Sequence, residues 1–140
     1  TLFSINLYSQ TSMKKIINTT NAPAPVGPYN QAILIDDTLY VSGQIALDPV
    51  SMKMIKGSIE EEAKKVMQNI KAILQEVDFS FENIIKTTIF ITDMNNFSRV
   101  NTIYGEYFDN KTAPARETVE VSALPKNAKI EISVIAKKIY

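Results

Sequence analysis

A chain of 140 residues that balances 15 Lys plus Arg against 15 Asp plus Glu, with no histidine and no cysteine, is sized for one domain and lacks imidazole and thiolate chemistry. Disulfide frameworks, Cys/His zinc sites, thiol nucleophiles and histidine-based triads are excluded, and zero net charge gives no overall field to gather a polyanion such as RNA. Any enzymatic chemistry has to run on Arg, Glu, Tyr, Asn, Ser, Lys and water.

The first twelve residues, TLFSINLYSQTS, carry no charge and precede Met13-Lys14-Lys15; they fit neither a secretory signal nor a transit peptide. Met13 reads as the natural start, so residues 1–12 are expected to be a non-native or disordered extension and residues 13–140 a single domain. No apolar run approaches the roughly 20 residues of a membrane span. With no cysteine, composition predicts a soluble, cytoplasmic protein, and an organelle lumen of similar redox state fits as well.

Residues 14–18, 32–35 and 38–42 are short apolar segments that predict strands, the last two joined by a tight hairpin at Asp36-Asp37. Between the first two lies Ala22-Pro23-Ala24-Pro25-Val26-Gly27-Pro28-Tyr29, whose three prolines predict a stiff loop presenting Tyr29, although composition alone favours a plain surface connection. Ser58 with Glu61 forms a capping-box pattern. Ile59, Ala63, Val66, Met67, Ile70, Ile73, Leu74 and Val77 then recur at helical spacing, predicting a helix over 58–77 with one apolar face. Residues 84–92, IIKTTIFIT, carry apolar or threonine side chains at both parities, which predicts a central strand covered on both sides.

Asp93 is placed to cap a second helix running to about Phe108. Phe97, Asn101, Tyr104 and Phe108 fall on one stripe, so Asn101 interrupts an aromatic face. A buried amide there needs a partner, either a loop backbone or a ligand. In the strand over 117–123, Val119 and Val121 point one way while Arg116, Thr118 and Glu120 point the other. In the last strand Ile130, Ile132, Val134 and Ala136 alternate with Lys129, Glu131 and Ser133. Pairing valines against isoleucines predicts Glu120 beside Glu131 and Thr118 beside Ser133 on a shared polar face. Two helices cover only one side of such a sheet. The mixture of charged and aliphatic residues on the other side predicts an oligomer with its site between subunits.

Five ordered segments spanning about residues 14–138 then carry a resemblance: Gly27-Pro28-Tyr29-Asn30-Gln31-Ala32; Val41-Ser42-Gly43-Gln44-Ile45; Lys86-Thr87-Thr88-Ile89-Phe90; Val100-Asn101 with Tyr104 and Phe108; and Pro114-Ala115-Arg116 through Leu124-Pro125-Lys126 to Ile130-Glu131-Ile132. In these the chain resembles the Rid (YjgF-like) family of reactive imine and enamine deaminases, a family also described as endoribonuclease L-PSP. The resemblance implies an α+β, chorismate-mutase-like fold, a six-stranded mixed sheet with two helices on one face, and a homotrimer whose sheets form a central β-barrel. It implies a hydrolase of the 2-iminobutanoate/2-iminopropanoate deaminase type. Such an enzyme needs no cofactor or metal, converts small 2-imino acids and their enamines to 2-oxo acids and ammonia, and so protects pyridoxal-phosphate enzymes.

By position, the resemblance gives Arg116 the substrate carboxylate and Glu131 the water, with Tyr29, Ser42, Asn101 and Thr118 lining the cleft and Glu120 in an accessory place. Thr118 stands where several relatives carry cysteine, Glu117 and Ala113 depart in size from the usual residues, and Met52 replaces a frequent glycine. The chemistry is consistent with the residue inventory. A planar guanidinium grips a carboxylate through two bonds, and a protonated imine is electrophilic enough that one oriented water and one proton acceptor suffice. The alternatives are an endoribonuclease or translation inhibitor using Glu131 or Glu120 with Arg116, and a non-catalytic ligand-binding or chaperone-like module. Zero net charge disfavours nucleic acid as a partner.

Overall fold

The computed structural model describes residues 13–140, so the expectation for residues 1–12 lies outside the described residues. Six strands, β1 (Lys15–Ile17), β2 (Ala32–Ile35), β3 (Thr38–Gln44), β4 (Ile84–Ile91), β5 (Ala115–Glu120) and β6 (Ile130–Lys137), form one sheet in the order β1-β2-β3-β6-β4-β5. All neighbours are antiparallel except β4 and β5, which run parallel. Helices α1 (Ile59–Gln75) and α2 (Phe97–Gly105) pack on one face of it. This is the six-stranded mixed sheet with two helices expected of the sequence. No helix among the described residues is long and apolar enough to cross a membrane.

The core forms where the two periodicities meet. Val66, Met67, Ile70, Ile73 and Leu74 of α1 cover Leu39, Ile89, Ile130 and Ile132 of the sheet, all of them fully buried. Each such side chain contributes about 1.5–3 kcal/mol through the apolar surface it withdraws from water. The capping box is present as predicted: Glu61 N donates to Ser58 Oγ at 3.2 Å and Ser58 N donates to Glu61 Oε2 at 2.7 Å. Two polar residues interrupt the buried face of α1, and both brace strand ends. Asn69 Nδ2 donates to the carbonyls of Ile45 and Leu47 at 3.2 and 3.0 Å, and Glu62 Oε1 accepts from Lys129 N at 2.7 Å. The exit of β3 and the entry of β6 are thereby fixed to the same helix.

Two details differ from expectation. Asp93 caps a short 3-10 turn, Met94–Asn96, through Asn95 N at 2.9 Å, and α2 follows from Phe97 with no side-chain cap of its own. That helix ends at Gly105, after which Tyr107 and Phe108 turn their rings onto Phe81 with centroids 5.1 and 5.9 Å apart. Met52 adopts φ 57, in the left-handed region where a glycine is least strained.

The main correction concerns β5. It does not pair with β6, because β4 lies between them: Thr87 faces Val134 on one side and Arg116 on the other, and Phe90 faces Glu131 and Val119. Directly opposed residues share a face. Arg116, Thr118 and Glu120 therefore lie on the helix side with Thr87, Ile89 and Ile91, whereas Glu131 and Ser133 lie on the open side with Phe90 and Thr88. Glu120 is not beside Glu131, nor Thr118 beside Ser133. Alternation fixes the parity of a strand but not its neighbour, and an edge strand at the rim of the helical layer has no need to turn its valines inward. Val119 is 42% exposed on the open face. Glu120 instead accepts from Met94 N at 2.8 Å, tying β5 to the turn ahead of α2.

The open face mixes Ile16, Tyr40, Ile85 and Val119, each between 42% and 53% exposed, with an ion pair of Lys86 and Glu117 at 2.6 Å. Glu117 thus points away from Arg116, as strand alternation requires. The cover expected on both sides of β4 is complete on the helix side, where Thr87, Ile89 and Ile91 are buried, and partial on the open side, where Thr88 and Phe90 are half-buried.

Candidate active site

Glu131 sits at the start of β6, after a 3-10 turn, Pro125–Asn127, in which Lys126 and Asn127 take φ of 55 and 56. Facing it, the register of β3 against β6 shifts between Val41 and Gln44, which places Gly43 directly under the carboxylate. A Cβ at Gly43 would lie 2.7 Å from Glu131 Cδ and 2.8 Å from its Oε2. A glycine at a strand irregularity marks such a close approach. Because the clash falls on the far end of a flexible side chain, Gly43→Ala is expected to leave the melting temperature near wild type and to swing the carboxylate aside. A displacement of about 1 Å lowers turnover on the order of 10²-fold, and kcat measured beside a thermal melt separates the two effects.

Around Glu131 is a cavity of about 180 Å³ whose wall includes Pro23, Tyr29, Gly43, Gln44 and Lys126. A shallower opening shares Tyr29, Gly43, Pro125 and Glu131 and adds Ser42. Burial holds the Glu131 carboxyl above its ordinary pKa. The loop carrying Tyr29 is pinned by buried Gln31, whose Nε2 lies 2.9, 3.2 and 2.8 Å from the carbonyls of Thr19, Ala22 and Pro23 and whose Oε1 accepts from Thr19 N at 2.7 Å. The prolines stiffen this loop, and Gln31 attaches it to the sheet. Tyr29 Oη accepts from Val26 N at 3.3 Å, and Ser42 Oγ donates to Asn30 O at 2.6 Å.

Arg116 is built differently. Its Nη1 donates to Asn101 Oδ1 at 2.7 Å, and its Cζ lies 4.9 Å from the Tyr104 ring centroid and 5.8 Å from that of Phe97. Tyr104 is held in turn by its hydroxyl, which donates to Thr87 Oγ1 at 3.0 Å, and by Phe108, whose ring centroid is 4.6 Å away. The guanidinium is thus oriented by one amide and two aromatic faces. Among the described residues no carboxylate forms an ion pair with it. A cavity of about 290 Å³ opens here, lined by Asn101, Tyr104, Phe108, Asn110, Ala113 and Arg116.

The family model described as Endoribonuclease L-PSP matches residues 19–138. The chain belongs to the Rid family. Among its Rid relatives, a RutC family protein of Synechocystis is 54% identical over 123 residues, covering 87% of this chain and 95% of that protein. The mouse 2-iminobutanoate/2-iminopropanoate deaminase is 45% identical over 124 residues, covering 89% and 91% respectively. Of solved structures, E. coli TdcF with bound serine superposes with a TM-score of 0.83 at 38% identity, over 89% of this chain and 99% of that one.

Within one Rid chain, then, the seven residues singled out from the sequence fall into separate groups. Tyr29 and Ser42 join Glu131 on the open side, Asn101 joins Arg116 on the helix side, and Thr118 follows Arg116 along β5. Glu120 belongs with Met94. Arg116 and Glu131 are not brought together in one chain. Asn101 is exposed rather than buried, and its hydrogen-bond partner is the Arg116 guanidinium rather than a loop backbone. Sequence reasoning gave no role to Gly43, Gln31, Glu62 or Tyr104. Of these only Gly43 carried a local signal, a glycine inside a strand.

Proposed function

We propose that this protein hydrolyses small 2-imino acids and their enamine tautomers to 2-oxo acids and ammonia, at sites completed between the subunits of a homotrimer. The observation that carries the reading is Arg116: an oriented guanidinium that lacks a carboxylate partner among the described residues and keeps N–H donors for a small organic anion. The name of the mouse relative supports the substrate class, and the serine bound to E. coli TdcF supports a ligand with an amino-acid carboxylate. Because Arg116 and Glu131 occupy opposite faces of the sheet, one group reaches the other only across a boundary with a second copy.

In this arrangement Arg116 grips the substrate carboxylate and fixes the adjacent imine carbon. Glu131 of the neighbouring copy removes a proton from water as the water oxygen bonds to that carbon, and the C=N electron pair moves to nitrogen. Glu131 then returns the proton to the amine nitrogen of the carbinolamine. As the C–N bond breaks, ammonia leaves with the bonding pair and the hydroxyl passes its proton to the Glu131 carboxylate, its O–H pair closing the C=O bond of the 2-oxo acid. The role that follows is removal of imines released by pyridoxal-phosphate enzymes before they damage enzymes of that kind. The description of the family model keeps RNA cleavage as a second reading, and zero net charge weighs against it.

Coupling a threonine or serine dehydratase to the protein and following the 2-oxo acid tests the proposal. Wild type should accelerate its appearance over buffer, with little response to salt. No acceleration would defeat the reading, and a steeply salt-sensitive cleavage of RNA would replace it.

A further inference from the structure

Strand β5 holds α2 at two places. Arg116 lies over Phe97 and bonds to Asn101, and four residues further along the strand Glu120 Oε1 accepts from Met94 N at 2.8 Å, in the 3-10 turn ahead of the helix. Across β4 these two residues face Thr87 and Ile91, both buried, so their side chains leave the same face of the strand, toward the helical layer. The spans agree. Four strand steps cover about 13 Å, and the rise from Met94 to Asn101, through a 3-10 turn and one turn of helix, is about 12 Å. The segment 94–101 therefore runs opposite to β5 and is tied to it at both ends. Its own start is otherwise thinly held: α2 has no side-chain cap, and Asp93 serves Asn95 N. Toward α1, Arg99 pairs with Glu60. Among the described residues, Arg116 and Glu120 are the side chains of β5 that hydrogen-bond to this segment.

We propose that Glu120 is a positioning residue for the carboxylate anchor: its bond to Met94 holds the start of α2 against β5 and so sets the Phe97 ring and the Asn101 amide that orient the Arg116 guanidinium. This rests on the deaminase reading and deepens it. The anchor and its platform sit on different elements, and one hydrogen bond with two ring contacts at a single point leaves the helix free to pivot there. A second tie from the same strand removes that freedom. When the remaining N–H donors of Arg116 engage a carboxylate, the groups that orient the guanidinium then stay in place. The action is positional rather than electrostatic, because the separation of about 13 Å between the two residues exceeds the screening length of roughly 8 Å at physiological ionic strength.

Glu120→Asp keeps the charge and draws the acceptor back by one C–C bond, about 1.5 Å. Glu120→Gln keeps the reach and drops the charge. Glu120 is exposed, so neither change leaves a buried group unpaired, and both variants should fold. With wild type active in the coupled dehydratase assay, Glu120→Gln should stay within about twofold of it. Glu120→Asp should lose about fivefold in kcat/KM, most of it in KM, as a misplacement of about 0.4 Å allows. Glu120→Ala, with no acceptor at all, should lose at least as much. In an Arg116→Lys background a flexible ammonium replaces the planar fork that α2 orients, and there Glu120→Asp should cost less than about twofold. A role confined to stability would lower the melting temperature alike in both backgrounds and leave KM in place. Wild-type kcat/KM in Glu120→Asp or Glu120→Ala, a matching loss in Glu120→Gln, or the full loss persisting in Arg116→Lys would overturn the inference and leave the deaminase reading standing. An inactive wild type would remove both.

Discussion

Replacing Glu131 with glutamine is expected to lower kcat by about 10²- to 10⁴-fold, the usual contribution of a positioned proton acceptor, with KM for the imino acid little changed. Glutamine preserves the shape over Gly43 and still accepts from water, but it cannot take a proton. The pH profile is the sharper readout. Burial raises the Glu131 pKa, so the wild-type rate should climb with pH along a limb lying above the ordinary carboxylate range, and that limb should vanish in Glu131→Gln. Stability should move the opposite way. A carboxyl whose pKa is higher folded than unfolded binds more proton in the folded state, so it erodes stability as pH rises from the unfolded value through the folded one. Glu131→Gln should therefore melt at or above the wild-type temperature near neutral pH and match it in acid. A variant that kept wild-type kcat would show that the carboxylate is not the base.

Arg116→Ala is expected to reduce kcat/KM by about 10²- to 10⁴-fold. It removes two charge-assisted hydrogen bonds to the substrate carboxylate, each contributing about 1.5–3 kcal/mol in a site shielded from water, with incomplete additivity. Most of the loss should appear in KM. Lysine at this position restores the charge but not the planar fork, and it should recover only part of the activity. The fold should tolerate either change, because the guanidinium is held only by one hydrogen bond to exposed Asn101 and by two aromatic faces, about 0.5–1 kcal/mol apiece. Saturation curves beside thermal melts separate binding from folding. Arg116→Ala kinetics identical to wild type would end its role as the carboxylate anchor.

What the sequence disclosed, and what it withheld, follows from the range of the interactions. Ser58 and Glu61 sit three residues apart and announced the start of α1, and the Asp36-Asp37 hairpin was equally local, with Asp36 at φ 50. The site residues became visible through a resemblance spread over five segments rather than through any one pattern. The pairing of β5 stayed hidden because period-two alternation is satisfied by any neighbour of the right parity, and β4, apolar on both faces, fits between two strands as readily as beside one. The bond from Lys129 N to Glu62 Oε1 joins residues 67 apart, and the one from Asn101 to Arg116 bridges a helix and a strand. Neither leaves a trace in local composition.

The placement of Arg116 and Glu131 on opposite faces has a genetic consequence. In the proposed assembly each copy would lend its guanidinium to one boundary and its carboxylate to another, so a copy defective in one would still serve the neighbour that needs the other. Two crippled alleles, one lacking the arginine and one the glutamate, should complement when expressed together. In that proposed assembly neither should restore activity alone, and dilution that separates the copies should silence even the intact protein.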